Sequence, residues 1–143
     1  MEVESGMGNY LNPDSNRFLE VINSEIYVDK TGLLQYTNSV LQTTQKYLCI
    51  SRPRRFGKSI TANMLAAYYG CDYDTKELFS KFQIASSEGF EKHLNQYDTI
   101  FLNMQEFLSQ SKNVDGMLTL LKKACSGICW RNIRISGILM IRT

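Results

Sequence analysis

Apolar positions along the chain follow two rhythms that meet near residue 50. Ile60, Met64, Leu65 and Tyr68 recur at helical spacing, while residues 47–50, Tyr-Leu-Cys-Ile, form the short unbroken apolar run of a buried strand. Strand, loop and helix thus follow in that order. Upstream, Asn12, Pro13, Asp14, Ser15 and Asn16 make a turn cluster ahead of a short helix over residues 18–22. Tyr27 and Val28 read as a brief strand. Asp29 or Thr31 then caps a helix running to about Leu41, with Leu33, Leu34 and Tyr36 among its apolar members. Downstream, Gly70 and Asp72 close the long helix, and residues 75–82 and 86–94 predict two short helices. Residues 98–103 predict a second apolar strand, and residues 114–124 an amphipathic helix with Met117, Leu120 and Leu121 inward. There is no internal repeat and no low-complexity stretch.

The loop between the first apolar run and the long helix carries the chemistry. It reads SRPRRFGKS, and Gly57-Lys58-Ser59 is the second half of the phosphate-binding pattern G-x-x-x-x-G-K-[ST], with Arg52 where the first glycine would stand. Backbone N–H groups of Arg55, Phe56, Gly57, Lys58, Ser59 and Ile60 can wrap a β-phosphate at the helix N-terminus, where unpaired donors and the helix dipole favour an anion. Lys58 is expected to bridge β- and γ-phosphates, and Ser59 to place its hydroxyl on Mg²⁺, so ATP and Mg²⁺ are the expected ligands. The plainer alternative is an ordinary strand-to-helix turn with a solvated basic loop. For Arg52, Arg54 and Arg55 individually, solvation is also the plainer account.

Five blocks carry a family resemblance: YVDKT at 27–31, SRPRRFGKS at 51–59, ANMLAAYY at 62–69, ELF at 77–79 and IFLNMQEF at 100–107. Together they resemble the bacterial AAA-ATPase-like family, over about residues 8–124. Its members usually carry a C-terminal nuclease-like domain of the PD-(D/E)XK type, which implies nucleic acid as a partner of the full-length protein. In that family an arginine-proline start replaces the first glycine of the phosphate loop, so Arg52 does not argue against nucleotide binding. The resemblance implies an α/β fold: a partial P-loop NTPase core of the additional-strand type, with an incomplete parallel sheet and flanking helices. It divides the chain into a leader over 1–9, the N-terminal part of the ATPase-like domain over 10–124, and a tail over 125–143. It also implies that the YVDKT corner lies near the nucleotide base, the alternative being that Asp29 and Thr31 are only caps.

Composition narrows the picture further. With 143 residues, 43% hydrophobic and 21% charged, the chain suits one domain with a modest core. No apolar run approaches the ~20 residues of a membrane-spanning helix, and the start MEVESGMGNY is acidic and polar where a secretory signal would be basic then apolar. A cytoplasmic protein is expected. The net charge of +2 is too small to imply a nucleic-acid partner by itself. Cys49, Cys71, Cys125 and Cys129 have no disulfide or zinc spacing and read as buried or free thiols; His93 falls on a polar helix.

Hydrolysis requires more than a phosphate cradle, because a second strand must bring a carboxylate to Mg²⁺ and another must orient water. The second apolar run ends in Asn103, Met104, Gln105 and Glu106, where a Walker B strand would end in aspartate and glutamate. Glu106 is more simply a glutamate at a helix start. The resemblance implies that the strand with the acidic pair follows further downstream. From Cys125 the text CSGICWRNIRISGILMIRT loses its period, and in the frame beginning on the third base of each codon, permitted codons allow FRDLLEEYPDIRYFDDTD, which continues the family text. The tail is therefore expected to be an out-of-frame extension of a truncated fragment. The expected function is an ATP-binding module without turnover. The alternatives are a non-enzymatic remnant or interaction fragment with a vestigial phosphate loop and, more weakly, nucleic-acid binding through Arg52, Arg54 and Arg55.

Overall fold

A computed structural model describes residues 10–129 except Arg52 and Arg54, with side chains given through Ser126. The described elements are α1 (Asn16–Ile22), α2 (Gly32–Val40), α3 (Lys58–Tyr69), α4 (Lys76–Phe79), a 3₁₀ turn (Gln83–Ser86), α5 (Phe90–His93), α6 (Met104–Gln110) and α7 (Val114–Cys129). The leader, the two arginines and the tail side chains Trp130, Ile133, Ile135 and Met140 lie outside the described residues.

α3 is the central element. Eight of its twelve residues are buried, so it is packed on more than one face rather than along a single stripe. Its alanines, Ala62, Ala66 and Ala67, favour the helix and let neighbours approach closely. Met64, Leu65, Tyr68 and Tyr69 join Phe18 of α1, Leu34 of α2, Phe79 of α4, Ile84 of the 3₁₀ turn, and Phe90 and Leu94 in one core cluster. Phe79 is its aromatic hub. It stacks on Phe18 at 5.3 Å between centroids and meets Tyr68 edge-on at the same separation, both arrangements that the ring quadrupoles favour.

Polar bonds complete the packing of α2 on α3. The Tyr69 hydroxyl donates to Asn38 Oδ1 at 2.7 Å and lies 2.6 Å from Thr37 Oγ1. Asn38 Nδ2 donates to the Tyr68 hydroxyl at 2.9 Å, which itself donates to the Phe90 carbonyl at 2.8 Å. Burial raises the pKa of both tyrosines, so the hydroxyls stay protonated and able to donate.

The expected parallel sheet is absent: the described residues contain no strand and no sheet, only isolated bridges pairing Leu11 with Ile100 and Gly70 with Tyr97. The α/β P-loop architecture is thereby corrected to a helical one. The two apolar runs explain the difference. Residues 47–50 form no regular element, and exposure alternates along them, with Tyr47 and Cys49 exposed and Leu48 and Ile50 half-buried. A strand is defined by its ladder, not by its own sequence, and this run has no described partner. Residues 98–103 bond instead to irregular chain. Phe101 N–H donates to the Tyr10 carbonyl at 2.7 Å and Asn12 N–H to the Thr99 carbonyl at 2.7 Å. Tyr27 and Val28 likewise form no strand, and Val28 is exposed.

Helix lengths also depart from expectation. Residues 75–82 hold only the four-residue α4, which ends in a turn from Ser80, and residues 86–94 only the four-residue α5, because Ser86 closes the 3₁₀ turn and a bend follows at Ser87. α7 runs past Ala124 to Cys129, with Met117, Leu120 and Leu121 half-buried and Ala124 buried. Its described packing is against α6. His93, expected on a polar helix, is buried, with Nδ1 2.7 Å from the Tyr97 hydroxyl. Burial, reinforced by the Lys92 charge, pushes its pKa below the ordinary value.

Candidate functional site

Gly57 is the N-cap of α3, in the left-handed region at φ 78°, and Lys58 and Ser59 are the first two residues of the helix. Only glycine takes that conformation without cost, which is the local reason the chain turns here. Two residues earlier, Arg55 also has a positive φ, 67°. Two left-handed residues on either side of Phe56 curl the loop tightly, and such curls are the backbone basis of anion-binding concavities. The Gly57 carbonyl accepts from Thr61 N–H at 2.9 Å and Thr61 Oγ1 at 3.0 Å, anchoring the first helical turn.

The opening N–H groups of a helix have no partner within it, and no described residue accepts from those of Lys58, Ser59 or Ile60. Arg55, Phe56 and Ser59 are exposed, and Gly57, Lys58 and Ile60 are half-buried. The six expected phosphate-site residues therefore form one accessible loop-and-helix start. Arg52 and Arg54 lie outside the described residues.

The YVDKT corner meets this loop directly. Asp29 Oδ1 accepts from Thr31 N–H at 2.8 Å and Oδ2 from Gln83 N–H at 2.9 Å, while the buried Thr31 Oγ1 accepts from Ile84 N–H at 3.2 Å. These bonds rivet the corner to the 3₁₀ turn. Burial pushes the Asp29 carboxyl up, but the bonds from Gln83 and Thr31 outweigh it and hold the pKa below the ordinary value. Between the two riveted residues, Lys30 Nζ reaches the Phe56 carbonyl at 3.2 Å. A Cβ at position 57 would collide with that same ammonium. Position 57 thus favours glycine for its conformation, and a side chain there would displace the Lys30 ammonium. The sequence reading of the corner considered only Asp29 and Thr31 and missed Lys30; its signal was a basic residue between two capping side chains.

A cavity of about 200 Å³ lies between α2, α3 and residues 46–48 and 97–105, and among the described residues at 55–60 it is lined by Ser59. Asp98 is the carboxylate among its lining residues. It is occupied, since Asp98 Oδ1 accepts from Asn12 Nδ2 at 3.0 Å and from Cys71 Sγ at 3.3 Å. Burial and the Asp98 carboxylate push the Cys71 thiol up to about 11, so it stays protonated. Glu106 is exposed in the first turn of α6, where a negative charge suits the helix dipole, behind Asn103, whose side chain accepts from Gln105 N–H at 3.1 Å. Among the described residues no group of three His, Cys, Asp or Glu side chains could hold a metal ion, and no helix is long and apolar enough to cross a membrane.

Gly57, Lys58 and Ser59 thus form an accessible helix start behind a tightly curled turn, in the residue order of the phosphate-binding pattern. The profile of the AAA-ATPase-like family, described as a predicted AAA-ATPase, matches residues 16–130, and the chain belongs to that family. No curated protein and no solved structure matches the chain.

Proposed function

We propose that this chain is a nucleotide-binding module that holds the phosphates of Mg²⁺-ATP or ADP on Arg55, Phe56, Gly57, Lys58, Ser59 and Ile60. The observation that carries the reading is the left-handed Gly57 capping α3 directly before Lys58 and Ser59, with the helix-start N–H groups facing no described acceptor. Lys58 supplies the charge for β- and γ-phosphates, and the Ser59 hydroxyl is the group suited to the accompanying Mg²⁺. Family membership over residues 16–130 supports the ATPase-like class. Turnover is not part of the proposal, because Asp98 is engaged with Asn12 and Cys71 and Glu106 opens α6. The cytoplasm, where ATP is abundant, is the compartment this reading requires.

Thermal denaturation with and without nucleotide tests the proposal. Ligand at about a hundredfold excess over Kd stabilises the fold by ~2.7 kcal/mol, and Lys58→Ala removes the shift while leaving the unliganded midpoint in place. Absence of any shift with folded wild-type protein, in Mg²⁺-ATP and Mg²⁺-ADP alike, would overturn it.

A further inference from the structure

Lys30 stands outside the phosphate loop in sequence, 26 residues before Phe56, yet its ammonium rests on that loop. The contact is built rather than incidental. The residues on either side of it are bonded to the backbone of Gln83 and Ile84, and the Lys30 carbonyl accepts from Leu33 N–H at 3.1 Å. Thr31 is fully buried, so the backbone that projects Lys30 is fixed at the edge of the core. The side chain then crosses to the Phe56 carbonyl, over the face of Gly57 that has no Cβ.

The chemistry of that bond bears on anion binding. A trans peptide is planar, with its N–H antiparallel to its C=O. Holding the Phe56 carbonyl on one side therefore aims the Gly57 N–H at the other. An ammonium on the carbonyl also polarises the peptide and strengthens its N–H as a donor. A lysine ammonium has three donors; Phe56 uses one, and Lys30 makes no salt bridge with a described carboxylate. No described carboxylate therefore neutralises its charge.

We infer that Lys30 is the positioning residue of the phosphate site. It locks the Phe56–Gly57 peptide with its N–H directed away from the ammonium and toward the bound phosphates, its charge acting on them through the polarised peptide rather than by contact. The corner is thereby a part of the nucleotide site rather than only a helix cap. This inference rests on the phosphate-loop reading above.

The test compares wild type, Lys30→Met, Lys30→Arg and Lys58→Ala by isothermal titration with Mg²⁺-ADP and with pyrophosphate, at low and high salt. Lys30→Met is expected to bind both at least about tenfold more weakly, the scale of losing a hydrogen bond to a charged group. Its unliganded unfolding midpoint should stay near wild type. Lys30→Arg, which keeps the charge and the donors, should recover most of the affinity. The wild-type affinity should fall more steeply with salt than that of Lys30→Met, because one fewer charge is screened. Recovery of affinity by Lys30→Arg, with the unliganded midpoints of all three Lys30 chains alike, is the result a merely structural lysine would not give. If wild type binds and Lys58→Ala does not, while Lys30→Met binds like wild type, the inference is overturned and the phosphate-loop reading stands. If wild type binds neither probe, the phosphate-loop reading fails and this inference falls with it. Should Lys30→Met fold poorly, Lys30→Gln supplies the same comparison.

Discussion

Asn95 Nδ2 donates to the Gly70 carbonyl at 2.7 Å, closing the C-terminal end of the helix whose other end carries Lys58 and Ser59. The same amide donates to the Ala67 carbonyl at 3.3 Å, and its Oδ1 accepts from Thr75 N–H at 3.0 Å and Thr75 Oγ1 at 3.1 Å. One side chain thus satisfies orphan carbonyls at the end of α3 and ties them to the entry of α4. Asn95 has a φ of 53°, a conformation asparagine tolerates better than most residues.

Asn95→Ala should therefore destabilise the fold by about 2–3 kcal/mol, combining unpaired polar groups with left-handed strain. Asn95→Gly removes the bonds and keeps the conformation, so it should cost less. Urea denaturation of the two variants separates the terms; equal midpoints for wild type and Asn95→Ala would contradict the capping role.

Phe18 is fully buried against Phe79, and its ring also lies edge-on to Tyr27 at 6.2 Å. Phe18→Ala should cost about 3–5 kcal/mol, the range for deleting a buried ring. Tyr68→Phe keeps the volume but leaves the Phe90 carbonyl without its donor, and should cost about 1–2 kcal/mol. Chemical denaturation should rank the two in that order.

Acid should weaken the fold through His93. Its folded-state pKa lies below the ordinary value because burial and Lys92 disfavour the imidazolium. The unfolded chain therefore takes up the proton first. Stability from this group is complete above the unfolded pKa of about 6.5 and is lost as pH falls through that value toward the folded pKa. The unfolding midpoint of wild type should drop, as pH falls through about 6.5, more than that of His93→Gln. Parallel curves for the two would remove His93 from the account.

ATP hydrolysis by the purified chain should stay at background even when nucleotide binds, and Glu106→Gln should leave it unchanged, because Glu106 is an exposed first-turn residue of α6. A phosphate-release assay decides this. Turnover abolished by Glu106→Gln would identify Glu106 as the catalytic carboxylate.

α3 was legible from residues alone because its determinants are local. Gly57 supplies a positive φ, apolar residues follow at helical spacing, and Gly70 ends the helix. The helix start at Gly57, Lys58 and Ser59 was legible for the same reason, since the three residues are adjacent in sequence and a left-handed glycine before a lysine and serine opens the helix. α7 and its inward Met117, Leu120 and Leu121 follow from periodicity as well.

What tertiary structure decided is everything that depends on a distant partner. The apolar runs at 47–50 and 98–103 carry strand-like sequence, but a ladder requires another chain segment in register, and Thr99 and Phe101 bond to residues 10–12 instead. His93 reads as polar until Tyr97 and the surrounding core enclose it. Asn95 caps a helix that ended 26 residues before it, counting from Tyr69, and Lys30 reaches a glycine-bounded loop across the same interval. No local pattern encodes such pairings, because their energy comes from groups that become neighbours only after the chain has folded.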